Sequence, residues 1–140
     1  ASMRELECAD IRVFGFMREM HEMMSLADVM ITKPGGVTLT EAIQCELPLV
    51  LLRPVPGQER DNALYLASRG AALLAYDDGQ ALDAVKSLLD PAGGGRAVRE
   101  MARLKRERSA ERIVRDVAGM LGAPLNLPNA ESDVRRMTSE

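Results

Sequence analysis

Two Pro-Gly turns, each set between an apolar run and a helical pattern, constrain this chain more than any other feature. The first lies in "ITKPGGVTLTEAI" (Ile31–Ile43), the second in "LVLLRPVPGQERDNALYLAS" (Leu49–Ser68). An apolar, β-branched run closed by Pro-Gly reads as a strand, and the amphipathic stretch after it as a helix. Around the two turns the pattern repeats. Met20–Ala27 carries Met20, Met23, Met24 and Ala27 at helical spacing, and Val29–Thr32 reads as a strand. Thr38–Cys45 is helical with Leu39, Ala42 and Ile43 on one side, and Leu49–Leu52 is a strand apolar enough to be buried on both faces. Gln58–Ser68 then predicts a helix, Ala71–Ala75 a strand and Gln80–Leu89 a helix; ahead of them all, "IRVFGF" (Ile11–Phe16) predicts a short strand. Strands alternating with helices through short turns predict parallel pairing in an α/β layer architecture.

Further along, a long helix is predicted over Ala97–Leu121, with Ala110, Ile113, Val114, Val117 and Leu121 as a docking stripe. Arg96, Arg99, Arg103, Lys105, Arg106, Arg108, Arg112 and Arg115 make it locally basic. Such a face is either solvated or suited to anionic lipid headgroups. Gly93-Gly94-Gly95 lacks the Gly-Lys-Ser/Thr ending of a phosphate-binding loop and reads as a flexible linker. From Gly122 on, Pro, Asn, Ser and charges predict a frayed tail.

Bulk properties narrow the function classes. The 140 residues suit one core, and no run approaches the ~20 apolar residues of a spanning helix. A net charge of −3 and four aromatic residues, Phe14, Phe16, Tyr65 and Tyr76, argue against nucleic-acid binding. Two cysteines, Cys8 and Cys45, are too few for a disulfide scaffold or a zinc site, and no secretion leader can be read at the start. The expectation is a cytoplasmic chain with free thiols. Met17, Met20, Met23, Met24 and Met30 crowd one region as adaptable core filler.

The chemistry concentrates at the turns. Gly35-Gly36-Val37-Thr38 follows a strand and opens a helix, where backbone N–H groups lack intrahelical partners and the helix dipole favours an anion. Glu41, three residues beyond Thr38, lies on the same helix face. Beside a phosphate a carboxylate needs another purpose, and vicinal ribose hydroxyls supply one. The alternative is a helix-start acid or a capping-box partner of Thr38. Pro56-Gly57-Gln58-Glu59 follows the next strand, so it belongs at the same, carboxyl-terminal edge of the sheet. Gln58, Glu59 and Asn62 bring amides and carboxylates suited to sugar hydroxyls, although Asn62 equally suits a structural bond holding the loop. His21, the only histidine, sits among methionines without a Cys or Asp partner at triad or metal spacing and reads as a helix-surface residue. No metal-ligand cluster stands out.

With those residues in view, the stretch from Val13 to Ala75 resembles the nucleotide-sugar half of a GT-B glycosyltransferase. It is most similar to the group of bacterial diacylglycerol glucosyltransferases, monogalactosyldiacylglycerol synthases and the lipid II-forming enzyme MurG. The spacing Lys-Pro-Gly-Gly-x-Thr-x-x-Glu, then Pro-Gly-Gln-Glu-x-x-Asn, carries the likeness. The resemblance implies a partial Rossmann-like parallel sheet with flanking helices, a GT-B C-terminal domain without its first strands. Residues 1–121 would form that domain and 122–140 a flexible tail. It further implies that Phe16 and Met17 contact uracil, and that Gly36, Val37 and Thr38 hold the diphosphate without a metal or other cofactor. Glu41 would take the ribose, Gln58 and Glu59 the transferred hexose, and Asn62 would support their loop.

In the strand order 3-2-1-4-5-6 common to this architecture, Ile11–Phe16 would be strand 3 and Val29–Thr32 strand 4. Strands 1 and 2 would lie between them. The chain is therefore expected to pair those two segments with each other or to recruit a partner chain, self-association through exposed sheet edges included. The implied function is the UDP-hexose-binding part of an inverting hexosyltransferase acting on a diacylglycerol-type membrane lipid, peripheral at the inner face. The acceptor and the catalytic base would come from a missing domain or partner. The alternative is the donor-binding subunit of a split glycosyltransferase with a membrane-bound partner. A UDP-N-acetylglucosamine 2-epimerase shares the donor-site architecture but needs catalytic carboxylates and a histidine not visible here.

Overall fold

The computed structural model describes residues 11–106 and 109–122. They belong to two compact units, residues 1–105 and 106–140. In the first, the elements run α1 (Met20–Leu26), β1 (Met30–Thr32), α2 (Gly36–Gln44), β2 (Leu49–Leu52), α3 (Gln58–Ser68), β3 (Ala72–Ala75), α4 (Asp78–Leu89) and α5 (Pro91–Leu104). The second contributes α6 (Ser109–Met120).

The three strands form a parallel sheet in the order β1-β2-β3. Met30 is opposite Leu49, and Leu51 is opposite Leu74. Side chains alternate across β2 as the strand period requires. Leu49 and Leu51 enter one apolar cluster with Leu39, Ala42, Ala63, Leu66 and Met101; Val50 enters another with Ala75, Ala84, Leu88 and Ala97. The first core thus lies under α2, α3 and the end of α5, the second under α4 and the start of α5. Leu49, Val50 and Leu51 are fully buried, as a two-faced strand requires.

Local chemistry accounts for the boundaries. The Asp77 carboxylate accepts from the Gln80 N–H at 2.8 Å to cap α4, while Gln80 Oε1 accepts from the Tyr76 N–H at 3.0 Å. At the far end of α2 the chain enters the left-handed region at Glu46 (φ 56°). There the Leu47 N–H reaches the Ala42 carbonyl at 3.0 Å, and the Glu46 N–H the Ile43 carbonyl at 3.1 Å.

Three expectations are corrected. Ile11–Phe16 is not a strand: Ile11 makes an isolated bridge, the following residues are irregular, and Phe16 is 94% exposed. A short strand gains little without a neighbour and a covered face. It therefore does not close the sheet beside β1, which among the described residues pairs only with β2. Gly93-Gly94-Gly95 is no linker but the first turns of α5, behind Pro91 and capped by Asp90, whose carboxylate accepts from the Ala92 N–H at 3.0 Å. A Cβ at Gly93 or Gly94 would run into the Ser87 or Leu88 carbonyl, so these glycines permit the tight α4–α5 corner. Finally, Ala97–Leu121 is not one helix. Lys105 leaves helical space (ψ 131°), and its ammonium meets Glu46 at 2.9 Å. After Leu104, the sequence Lys105-Arg106-Glu107-Arg108 offers no apolar side chain to continue the stripe of Ala97 and Met101.

The predicted basic run is consequently divided between α5 and α6, and Arg103 and Arg115 each pair within their own helix, with Glu100 and Glu111. Of the tail expected over 122–140, residues 123–140 lie outside the described residues, as does Cys8. Among the described residues, no helix is long and apolar enough to cross a membrane.

Candidate functional site

The carboxyl ends of three parallel strands place their loops along one edge. After β1, the Gly35 N–H turns back on the Lys33 carbonyl at 2.9 Å around a buried Pro34, and the Leu39 N–H bonds the Gly35 carbonyl at 3.0 Å to begin α2. Gly35 caps α2 with no side-chain hydrogen bond. The capping box considered for Thr38 is therefore not built, and the hydroxyl bond of this turn is Thr40 Oγ1 donating to the Gly36 carbonyl at 2.8 Å. Gly36 and Val37 are exposed, Val37 at 75%. Thr38 is half-buried and Glu41 exposed. The start of α2 thus presents backbone N–H groups to solvent, with the Glu41 carboxylate one turn along.

After β2, Gly57 adopts φ 102° and ψ −150°, a conformation essentially reserved for glycine, and α3 starts at Gln58. The helix turns Asn62 back toward the first loop. Its Nδ2 donates to the Pro34 carbonyl at 3.3 Å and ties the two Pro-Gly turns together. A cleft of about 200 Å3 opens between α2 and α3; Gly36, Gln58 and Asn62 line it. The same cleft takes Thr40 and Tyr65, which the sequence reading missed, over a floor that includes Leu39 and Leu66. Tyr65 lies one turn beyond Asp61 and Asn62, and Arg69 covers its ring at 5.3 Å. The i, i+3 spacing from Asn62 was the available signal.

Val37, Thr38, Glu41 and Glu59 do not line this cleft; they belong to the same two helix starts outside it. Phe16 and Met17 also stand apart from it, in irregular backbone before α1.

Arg53 was not singled out either. It takes a left-handed conformation (φ 42°), and its N–H continues the sheet to the Ala75 carbonyl at 2.8 Å. Its Nε donates to the Tyr76 carbonyl at 3.0 Å, and Nη2 reaches Asp78 Oδ1 at 3.3 Å. Asn62 thus links the first loop to the second, and Arg53 the second to the third. An arginine directly after the most apolar strand was the visible clue. With Lys33 it adds positive charge to this edge. Among the described residues no group of three or more His, Cys, Asp or Glu side chains is placed to hold a metal ion.

A three-stranded parallel sheet with an uncapped helix start and a Gly-dependent second turn on its carboxyl edge defines a Rossmann-like class of α/β domain. The family model of the glycosyltransferase family 28 C-terminal domain matches residues 2–115, and the chain belongs to that family. Among curated relatives, the processive diacylglycerol beta-glucosyltransferase of Bacillus cytotoxicus is 40% identical over 88 residues, 63% of this chain and 23% of that protein. The enzyme of the same description from Bacillus licheniformis is 47% identical over 79 residues, 56% of this chain and 21% of that protein. The matched part thus covers less than a quarter of these relatives' length.

Proposed function

We propose that this chain is the donor-binding part of a glycosyltransferase that moves a hexose from a UDP-sugar to a diacylglycerol-type membrane lipid. The observation that carries it is the Asn62–Pro34 bond, which holds the uncapped start of α2 beside the start of α3. In this reading the N–H groups of Gly36, Val37 and Thr38 receive the diphosphate, and the dipole of α2 stabilises charge developing on the UDP leaving group. Glu41, one turn along, accepts from the ribose hydroxyls. Gln58 and Glu59 bind the hexose, Asn62 fixes their loop, and Phe16 with Met17 contacts the uracil. The base that activates the acceptor hydroxyl for inverting transfer comes from outside this chain. The whole works at the cytoplasmic face, peripheral to the membrane.

The edge of β1 that no described residue pairs, with Ile31 half exposed on it, favours a second reading about assembly. Further strands dock there, from another domain, from a separate membrane-bound acceptor subunit or from a second copy. Calorimetric titration with UDP, UDP-glucose and UDP-galactose tests the donor reading. Binding is expected for the parent chain and a large loss for Glu41→Ala; equal binding by both removes the ribose role.

A further inference from the structure

Away from the donor cleft, a second group of reactive side chains lies where α1 meets the C-terminus of α2. Cys45 caps α2 as a half-buried free thiol. Its Sγ lies 3.3 Å from His21 Nδ1, 3.6 Å from Ser25 Oγ and 3.8 Å from the His21 carbonyl. The Ser25 hydroxyl has one proton and donates it to the His21 carbonyl at 2.8 Å. The ring nitrogen is therefore the sulfur's nearest polar partner, and His21 and Ser25 are exposed, so small molecules reach the pair.

We propose that Cys45 and His21 form a reactive thiol pair, a modification site for small peroxides. The S–H proton passes to Nδ1, and the thiolate attacks one peroxide oxygen. An S–O bond forms as the O–O bond breaks. The departing hydroxide takes the proton from Nδ1 and leaves as water, so sulfur is oxidised to a sulfenic acid and the peroxide is reduced.

The surroundings make the imidazole decisive. The charged groups beside the pair in sequence are carboxylates: Glu22 next to His21, Glu41 one turn earlier on α2, and Glu46 next to Cys45. Lys105, just past the end of α5, is engaged by Glu46 at 2.9 Å. The His21 imidazole, at 3.3 Å, is the base within reach of the sulfur's proton. The site is independent of the donor reading.

The test uses the full chain, iodoacetamide as the alkylating probe, and hydrogen peroxide with dimedone to trap sulfenic acid. Peptide mass spectrometry scores Cys45 and Cys8 separately in the same digest. His21→Gln, an exposed substitution checked by circular dichroism, is expected to slow Cys45 alkylation about tenfold at pH 7, to abolish its dimedone adduct and to leave Cys8 unchanged. Ser25→Ala is expected to keep the parent rate. Equal rates in parent and His21→Gln overturn the proposal. So does an equal loss in Ser25→Ala, which would mark a packing effect, or His21-dependent alkylation without a dimedone adduct, which would exclude peroxide.

Discussion

The side-chain amide of Asn62 donates to the carbonyl of Pro34 at 3.3 Å, across 28 residues of sequence. This one bond fixes the start of α2 against α3 and so sets the shape of the cleft between them. Both groups are at least half-buried, and an orphaned carbonyl there finds little water.

Asn62→Leu keeps the volume of the side chain but removes the donor. It is expected to cost about 1–2 kcal/mol of stability in urea unfolding. If the donor reading holds, UDP-sugar affinity falls further than stability accounts for, because the two loops lose their relative position. Unchanged stability and affinity would show the bond to be incidental.

Two glycines of the turns should behave oppositely. Gly57 sits at φ 102°, where an L-residue is strained, so Gly57→Ala is expected to lose about 1–3 kcal/mol. Gly35 has φ −70° and nothing within 4 Å of a Cβ, so Gly35→Ala should stay within about 0.5 kcal/mol. Chemical denaturation of the two variants side by side measures the contrast.

At the α4–α5 corner the same residue type divides again. Gly93→Ala and Gly94→Ala push a methyl into the Ser87 and Leu88 carbonyls and should each cost about 1–3 kcal/mol. A Cβ at Gly95 meets Arg99 Nη1 at an ordinary 3.6 Å, and Gly95→Ala should gain up to about 1 kcal/mol from helix propensity. Melting temperatures that move together for all three would contradict the packing described here.

Met101 is fully buried in the cluster under α2 and α3. Met101→Ala is expected to lose about 2–5 kcal/mol, as a cavity in a closed core does. Met120→Ala removes a side chain that is 87% exposed and should change stability by less than about 0.5 kcal/mol. Differential scanning calorimetry on both variants checks whether α5 carries core energy as its burial implies.

Where local chemistry decides, the sequence determined the structure residue for residue. Leu49–Leu52 and Gln58–Ser68 form the predicted strand and helix with their predicted limits. A continuous apolar run and a Pro-Gly break are signals that no distant contact needs to complete. The juxtaposition of the two Pro-Gly turns was also legible, because parallel strands must place successive loops at one edge.

What only the tertiary structure decided depends on partners remote in sequence. The apolar run Ile11–Phe16 has strand composition, but a strand is made by its neighbour, and among the described residues none forms a ladder with it; Ile11 alone is bridged. Gly93-Gly94-Gly95 could serve flexibility or close approach, and only the Ser87 and Leu88 carbonyls distinguish them. Arg53, Thr40 and Tyr65 carry no motif; the folded backbone assigned them places at the edge and in the cleft. His21 read alone as a surface residue became the neighbour of Cys45 only once α1 packed on α2. Periodicity reports which way a side chain faces along its own element. What it faces is settled when elements far apart in the chain are brought together.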